Sequence, residues 1–350
     1  MARAGGKVVF VPFTIAGEEV TARVEKRKKH FAEAALLSVE KPSPHRVEAL
    51  CPYFTRCGGC RYQHIEYGHQ LAIKSAQVEQ TLRRIGRLQS LPLRPIIPSP
   101  NPYHYRNRIR VHVGGERVGF YGFGSREIVD VACCPIASEP VNEALRAFRR
   151  RPPRDGDYAL PERGGFFEQT NDAVAGEMLR LVERLVLRNQ VLLIDAYCGA
   201  GFFARHLRGL FERVAGIEAN PSAVERARRN ASPGESYVSG DVALLLGRLL
   251  AQNDLARTTL ILDPPAAGLA RPVIGLLLAS PPVEIVYVSC NAATLARDLS
   301  ALCAIYRLDS VTPLDMFPQT AEIEVIARLE LAGPGSRLAG RSGPAGQPAL

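Results

Sequence analysis

From residue 191 onwards, short apolar runs alternate with helix-like segments, and this alternation constrains the fold more than any other feature of the chain. The runs are VLLID, VAGIE, TLILD and EIVYVSC, and between them lie a Gly-rich turn and amphipathic or basic segments. Strands and helices that alternate in this way form a parallel sheet covered by helices. We therefore predict a doubly wound α/β domain, in which ligands bind at the carboxyl ends of the strands.

The residues that end these runs are candidates for cofactor binding. The motif DAYCGAG, Asp195 to Gly201, follows the first run, and its glycines allow the backbone to approach a ligand closely. Glu218 ends the second run, where an acid can hold ribose hydroxyls. The third glycine of the dinucleotide fingerprint is absent. We therefore expect S-adenosylmethionine, a nucleoside cofactor without a pyrophosphate.

Two later runs end in residues that could carry the reaction. Asp263 ends TLILD and is followed by two prolines, and Cys290 ends EIVYVSC. Both should face the same crevice as the Gly-rich turn, because parallel strands bring their carboxyl ends to one edge. Residue type alone leaves two roles open for Cys290, a small buried apolar residue or a thiolate nucleophile.

The first 165 residues contain mainly short strand patterns. We predict a small β module over 1–45, a central β-rich domain over 46–165, the α/β domain over 166–331, and a disordered Gly/Pro/Ala/Ser-rich tail over 332–350. Helices are predicted from about Gln70 to Ile85 and from Asp172 to Arg188, with a Pro/Arg-rich linker from Arg150 to Gly165.

Positive charge is concentrated in the first part of the chain. Residues 1–190 hold 30 Lys and Arg against 20 Asp and Glu, whereas residues 191–350 hold 14 against 15. Such a distribution favours binding of a polyanion such as RNA, although a solvated basic surface also explains it. Apolar stretches are too short for a membrane span and the first residues lack a signal peptide, so we expect a cytoplasmic protein that does not bind membranes.

Four cysteines have the spacing of a metal site. Cys51, Cys57 and Cys60 form a C-x5-C-x2-C pattern, and Cys134 lies downstream in CCPI. A chain without a secretory signal is expected to keep its eight cysteines as thiols rather than disulfides. Four thiolates can hold zinc or an iron-sulfur cluster, although the x5 spacing is unlike that of zinc ribbons.

Taken together, these motifs resemble the S-adenosylmethionine-dependent RNA uracil-C5 methyltransferases over about residues 5–331. The N-terminal module resembles a TRAM domain, an OB-like barrel, whose first strands are missing. The motifs that carry the resemblance are CPYFTRCGGC with CCPI, FEQTN, DAYCGAG, DPPAAG, YVSCNAATLARDL and DMFPQTAEIE. The resemblance implies a class I methyltransferase fold and an RNA substrate, with ribosomal RNA favoured over transfer RNA, and a monomeric protein.

The resemblance also implies roles for individual residues. Cys290 would add to C6 of the target uracil, and Glu324 would remove the C5 proton after methyl transfer. The residues that match the positions holding S-adenosylmethionine are Gln169, Tyr197, Glu218, Asp241 and Asp263. Cys51, Cys57, Cys60 and Cys134 would hold a [4Fe-4S] cluster, with zinc as the alternative metal.

Several positions depart from the family pattern. Ala266 stands where the family has arginine after D-P-P, and Arg271 is the nearest candidate to replace that cation; Glu322 stands where the family usually has histidine. The missing arginine supports an alternative hypothesis, a catalytically impaired RNA-binding protein that keeps the fold. Retention of both Cys290 and Glu324 favours the enzyme. Adenine-N6 and cytosine-C5 methyltransferases fit less well, because Ala266 follows D-P-P and serine precedes Cys290.

Overall fold

The computed structural model describes residues 2–4, 6–162 and 169–333. The chain begins with four strands, β1 (Ala2–Ala4), β2 (Lys7–Phe10), β3 (Glu19–Arg27) and β4 (Phe31–Lys41). They form one sheet in the order β1-β2-β4-β3, in which β2 runs parallel to β4. This confirms a small N-terminal β module. A small core of Val9, Val11, Ala32 and Ala34 holds it together.

The central part combines helix α1 with a four-stranded antiparallel sheet in the order β7-β6-β5-β8. Its elements are α1 (Tyr67–Arg84), β5 (Ile109–Gly114), β6 (Arg117–Tyr121), β7 (Ile128–Asp130), α2 (Glu139–Arg150) and β8 (Gly156–Leu160). Helix α1 begins before Gln70, because the Glu66 carboxylate accepts hydrogen bonds from the free amides of Gly68 and His69.

The predicted linker over 150–165 is wrong in part. Residues 156–160 form β8, which pairs with β5 along its whole length. The prolines that suggested a linker, Pro152 and Pro153, precede the strand, so they do not remove donors from its ladder. Residues 163–165 of this segment lie outside the described residues.

The last part of the chain is a seven-stranded sheet in the order β11-β10-β9-β12-β13-β15-β14. Strands β9 to β13 are parallel, and β15 runs antiparallel to both of its neighbours. The strands are β9 (Leu192–Ala196), β10 (Arg213–Glu218), β11 (Glu235–Ser239), β12 (Thr258–Leu262), β13 (Glu284–Ser289), β14 (Tyr306–Leu314) and β15 (Glu324–Leu331). This confirms the Rossmann-like fold.

Helices cover both faces of this sheet. They are α3 (Asp172–Leu185), α4 (Phe202–Leu207), α5 (Pro221–Arg229), α6 (Val242–Gln252), α7 (Arg271–Ala279) and α8 (Ala292–Leu302). Helix α3 ends before the predicted Arg188, because Val186 is extended and the Leu187 amide donates to the buried carboxylate of Glu284. The predicted disordered tail lies outside the described residues from 334 onwards.

The core explains why the central strands read as continuous apolar runs. Every residue of β9, β12 and β13 is buried, as expected for parallel strands covered on both faces. One core cluster includes Val78 and Leu82 of α1 together with residues of α6, α7 and α8, so the central part packs directly on the seven-stranded sheet. Among the described residues, no helix has the length and apolarity to span a membrane.

Candidate active site

Cys290 and Glu324 lie side by side at one edge of the sheet. Cys290 directly follows β13, and Glu324 is the first residue of β15, the antiparallel neighbour of β13. The register pairs Ser289 with Val325, so the next position brings Cys290 opposite Glu324. Asp263 follows β12 on the other side of β13, and its amide donates to the Ala196 carbonyl at the end of β9. The two predicted catalytic residues are therefore adjacent to the predicted cofactor crevice.

Burial and mutual repulsion set the charges at this edge. Glu324 is only 5% exposed, and burial together with the neighbouring Asp263 raises its pKa to about 8. Burial raises the pKa of Asp263 to about 7. Cys290 opens to solvent, and partial desolvation and the charges of Glu324 and Asp263 raise its thiol pKa above the usual value. A proton can therefore be held or released at Glu324 close to neutral pH.

The Gly-rich turn forms the other wall of the crevice. Tyr197, Gly199 and Gly201 all have positive φ (69°, 54° and 85°), so the chain turns sharply between β9 and α4. The Glu218 carboxylate at the end of β10 accepts a hydrogen bond from the Gly199 amide (3.1 Å) and another from the Asn220 amide (2.7 Å). These two hydrogen bonds fix the Glu218 carboxylate beside the Gly-rich turn.

The sequence analysis omitted Asp195 from the candidate site residues, although it begins the Gly-rich motif. Its side chain is fully buried and one oxygen accepts a hydrogen bond from the Ala204 amide of α4 (2.9 Å). Burial, with the charges of Asp263 and Glu218, raises its pKa to about 8. The other oxygen has no hydrogen-bond partner among the described residues. The Asp195 carboxylate therefore connects the end of β9 to the first turn of α4.

Two further predicted cofactor residues lie at or just before the start of a helix. Asp241 is exposed and caps α6 by accepting a hydrogen bond from the Leu244 amide (2.9 Å). Burial raises the pKa of Tyr197, and the charge of Asp241 acts in the same direction. Gln169 is buried just before α3, and its side-chain oxygen has no partner within the described part of the chain. A buried acceptor of this kind fits a ligand that donates a hydrogen bond. Phe167 and Glu168 of the FEQTN motif lie outside the described residues.

The four predicted metal-ligand cysteines line one cavity of about 200 Å³. Burial, with smaller contributions from the neighbouring thiols, raises the thiol pKa of Cys60 to about 12 and that of Cys134 to about 11. Cys133 also lines the cavity but is exposed, whereas Cys134 is half-buried. No three His, Cys, Asp or Glu side chains of the described residues are grouped so that they could hold a metal ion. The cavity lining also includes apolar, aromatic and basic side chains, among them Phe54, Ile109 and Arg106, and the structure does not confirm a metal.

Comparison with known proteins defines the family. The family model described as tRNA (uracil-5-)-methyltransferase matches residues 247–330, and that of the TRAM domain matches residues 1–37. An uncharacterised RNA methyltransferase of Aquifex aeolicus is 32% identical over 94% of this chain and 95% of its own, and one of Bdellovibrio bacteriovorus is 31% identical over 95% and 91%. The crystal structure of Pyrococcus abyssi tRNA (uracil-54, C5)-methyltransferase in complex with S-adenosyl-L-homocysteine has a TM-score of 0.70 and 26% identity, covering 92% of this chain and 96% of that one.

The chain belongs to the RNA (uracil-5-)-methyltransferase family. This confirms the resemblance, the enzyme class and the N-terminal TRAM domain that the sequence motifs predict. The roles of individual residues are not decided by family membership, and they are taken up below as proposals.

Arg297, which the sequence analysis did not single out, contacts the loop that follows Asp263. The Arg297 guanidinium donates to the carbonyls of Ala267 (3.1 Å) and Leu269 (3.2 Å), while Arg271, the substitute considered from sequence, begins α7. Arg297 comes seven residues after Cys290 on α8, and spacing alone does not indicate that it folds back on the D-P-P loop. Arg297 therefore steadies the backbone of the loop that follows Asp263.

Proposed function

We propose that this methyltransferase transfers a methyl group to C5 of a uridine in RNA through a covalent adduct between Cys290 and C6 of the base. The observation that carries the proposal is the adjacency of Cys290 and Glu324 beside the cofactor crevice. A nucleophile and a base in one crevice suit uracil, because C5 is a poor nucleophile until C6 is saturated.

The proposed steps follow from the positions of the two side chains. The solvent-exposed Cys290 thiol releases its proton to water, its sulfur bonds to C6, and the electron pair of the C5–C6 double bond moves to C5. S-adenosylmethionine, when bound, supplies the electrophilic methyl group. The Glu324 carboxylate then removes the proton from C5, the C5–C6 double bond re-forms, and the sulfur–C6 bond breaks. A pKa of about 8 lets Glu324 accept that proton and return it to solvent near neutral pH.

The residues proposed to hold S-adenosylmethionine are Gln169, Tyr197, Glu218, Asp241 and Asp263. Glu218 is held over the Gly-rich turn by backbone amides, in the position suited to ribose hydroxyls. Gln169 contributes a buried oxygen without a partner within the described chain. The bound S-adenosyl-L-homocysteine of the Pyrococcus abyssi relative supports this cofactor.

We propose a [4Fe-4S] cluster bound by Cys51, Cys57, Cys60 and Cys134. Support comes from their shared cavity and from the mutual electrostatic influence of the thiols, since the pKa of Cys60 responds to each of the other three. Four thiols held together at raised pKa values will release protons when a metal group binds. Iron, sulfide and zinc analysis of protein purified without oxygen separates the cluster from the zinc alternative.

We propose ribosomal RNA as the substrate, with the cysteine site as support. Transfer RNA is the second candidate, because the Pyrococcus abyssi relative acts on uracil 54 of tRNA. The basic N-terminal half, with its TRAM domain, supports RNA binding outside the catalytic domain. Cytoplasmic location, a monomeric state and the domain boundaries at 45, 165 and 331 stay predictions.

The experiment is to map 5-methyluridine in ribosomal and transfer RNA from cells with and without this gene. Loss of one 5-methyluridine from ribosomal RNA, restored by the wild-type gene and not by the Cys290→Ala gene, is the expected result. Loss of 5-methyluridine from transfer RNA alone would identify tRNA as the substrate. Unchanged 5-methyluridine throughout, with purified protein that binds RNA, favours the catalytically impaired RNA-binding protein instead.

A further inference from the structure

The chain between β14 and Glu324 is tied to the rest of the protein by buried polar contacts. We call residues Asp315–Thr320 the base segment, because they lead from β14 towards Glu324. Lys74 of α1 is fully buried, and its ammonium group donates to the Asp315 carboxylate (2.6 Å) and to the Phe317 carbonyl (2.9 Å). The base segment is therefore anchored to a helix that lies far away in sequence.

Gln319 makes the largest number of these contacts. Its side chain is buried, and it forms a reciprocal pair with Gln70 of α1: the Gln319 amide donates to Gln70 Oε1 (3.1 Å), and Gln70 Nε2 donates to Gln319 Oε1 (3.0 Å). Gln319 Nε2 donates to the Pro102 carbonyl (3.3 Å). The Gln319 carbonyl accepts from the amides of Arg61 and Tyr62, each at 3.0 Å, directly after Cys60.

The backbone of Gln319 is in a conformation that needs such support. Its φ is 69°, in the left-handed region that residues with a Cβ rarely adopt. Four hydrogen-bonding groups of one residue are satisfied by three separate parts of the chain, which together hold this strained turn. Glu324 follows five residues later, so the turn sets where the chain re-enters the sheet.

We infer that Gln319 is a positioning residue, which fixes Glu324 by tying the base segment to α1 and to the cysteine loop. The inference rests on the proposed role of Glu324 as the base. A base must lie within hydrogen-bond reach of its proton, and a displacement of about 1 Å can cost on the order of 100-fold in rate. Cys290 is held separately, by β13 and by Asn291, which caps α8. Loosening the turn should thus slow proton removal and leave addition of sulfur to C6 intact.

The test follows the covalent protein–RNA species on denaturing gels, with labelled RNA and S-adenosylmethionine in single-turnover reactions. The first variant is Gln319→Gly, which allows the left-handed backbone conformation but removes the side-chain amide. The second is Gln70→Ala, which removes the partner of that side chain at a helical position where alanine is favourable. For both variants we expect adduct formation within about twofold of wild type and adduct breakdown roughly 10- to 100-fold slower. Gln77→Ala is the matched control, because Gln77 is exposed on the same helix and its side-chain amide donates to the Tyr62 hydroxyl rather than to the base segment.

Two further measurements make the outcome decisive. Both changes remove the hydrogen bond from Gln70 Nε2 to Gln319 Oε1, so adduct breakdown in the double variant should be slowed by less than the product of the two single effects. Adduct breakdown at the wild-type rate, or formation and breakdown slowed by the same factor, would overturn the inference. The Glu324→Gln protein separates the role of Gln319 from the proposed function. If Glu324→Gln does not accumulate the covalent adduct, the assignment of Glu324 as the base fails. If Glu324→Gln accumulates the adduct but Gln319→Gly breaks it down at the wild-type rate, only the role of Gln319 fails.

Discussion

Replacing Lys74 by methionine should destabilise the protein far more than any change on the surface of the same helix. Lys74 and Asp315 form an ion pair in which both side chains are 0% exposed, so the Lys74→Met protein must bury the Asp315 carboxylate without its cation. Removing one partner of a buried pair costs about 3–5 kcal/mol. The lost hydrogen bond to the Phe317 carbonyl acts in the same direction.

The same helix provides a matched control. Arg83 pairs with Glu79 at 2.9 Å, but their side chains are 51% and 43% exposed. An exposed pair at this spacing contributes about 0.3–0.5 kcal/mol, so Arg83→Met should lower the free energy of unfolding by roughly a tenth as much as Lys74→Met. Urea denaturation, followed by circular dichroism at fixed pH and salt, measures both differences.

A second variant tests the cause of the loss. Lys74→Met combined with Asp315→Leu should recover most of the stability, because a buried ion pair can be replaced by apolar side chains at little cost. The Tyr67 hydroxyl, which donates to Asp315, still accepts a hydrogen bond from the Ser99 amide in that protein. A cost below about 1 kcal/mol for Lys74→Met, or no recovery in the double variant, would refute the reasoning.

Three more results are expected. The rate of adduct breakdown should rise with pH and level off above about 8, because Glu324 must be ionised to accept the C5 proton and burial raises its pKa to about 8; a rate that is flat between pH 6 and 9 would contradict this. Cys57→Ser should abolish the visible absorption of anaerobically purified protein, whereas Cys303→Ser, a half-buried cysteine outside the cavity, should retain it. Lys28→Ser with Lys29→Ser should weaken RNA binding and reduce its salt dependence, as titrations from 50 to 200 mM salt will show; an unchanged slope would place the RNA contacts elsewhere.

The position of the crevice can be predicted from the sequence, because the motifs that form it are short and lie next to the strands. Three of the candidates stand at the end of an apolar run, and the topology of a parallel sheet then brings the ends of those runs together. Asp263, Cys290 and Glu218 are placed this way without knowledge of any contact. Glu324 is harder, because it begins an antiparallel strand and its pairing with β13 depends on the order of the last two strands.

The polar contacts that support the crevice could not be predicted. Lys74 and Asp315 are 241 positions apart, and Gln70 and Gln319 are 249 apart, so no local pattern links them. A lysine among the apolar positions of an amphipathic helix is ordinarily placed on the solvent side, and only the tertiary structure shows the buried carboxylate that it meets. Strand β8 was missed for a related reason: its partner β5 lies more than 40 residues earlier, and nearby prolines suggested a linker.

Trapping of the protein on RNA that contains 5-fluorouridine tests the account most directly. Fluorine cannot leave C5 as a cation, so the wild-type protein with S-adenosylmethionine should stay bonded to the RNA through Cys290 and migrate as a slow band on a denaturing gel. Glu324→Gln should give the same band with ordinary uridine, because the C5 proton remains. Cys290→Ala should give no band with either RNA. A slow band from Cys290→Ala, or 5-methyluridine made by that protein, would contradict the assignment of Cys290 as the nucleophile.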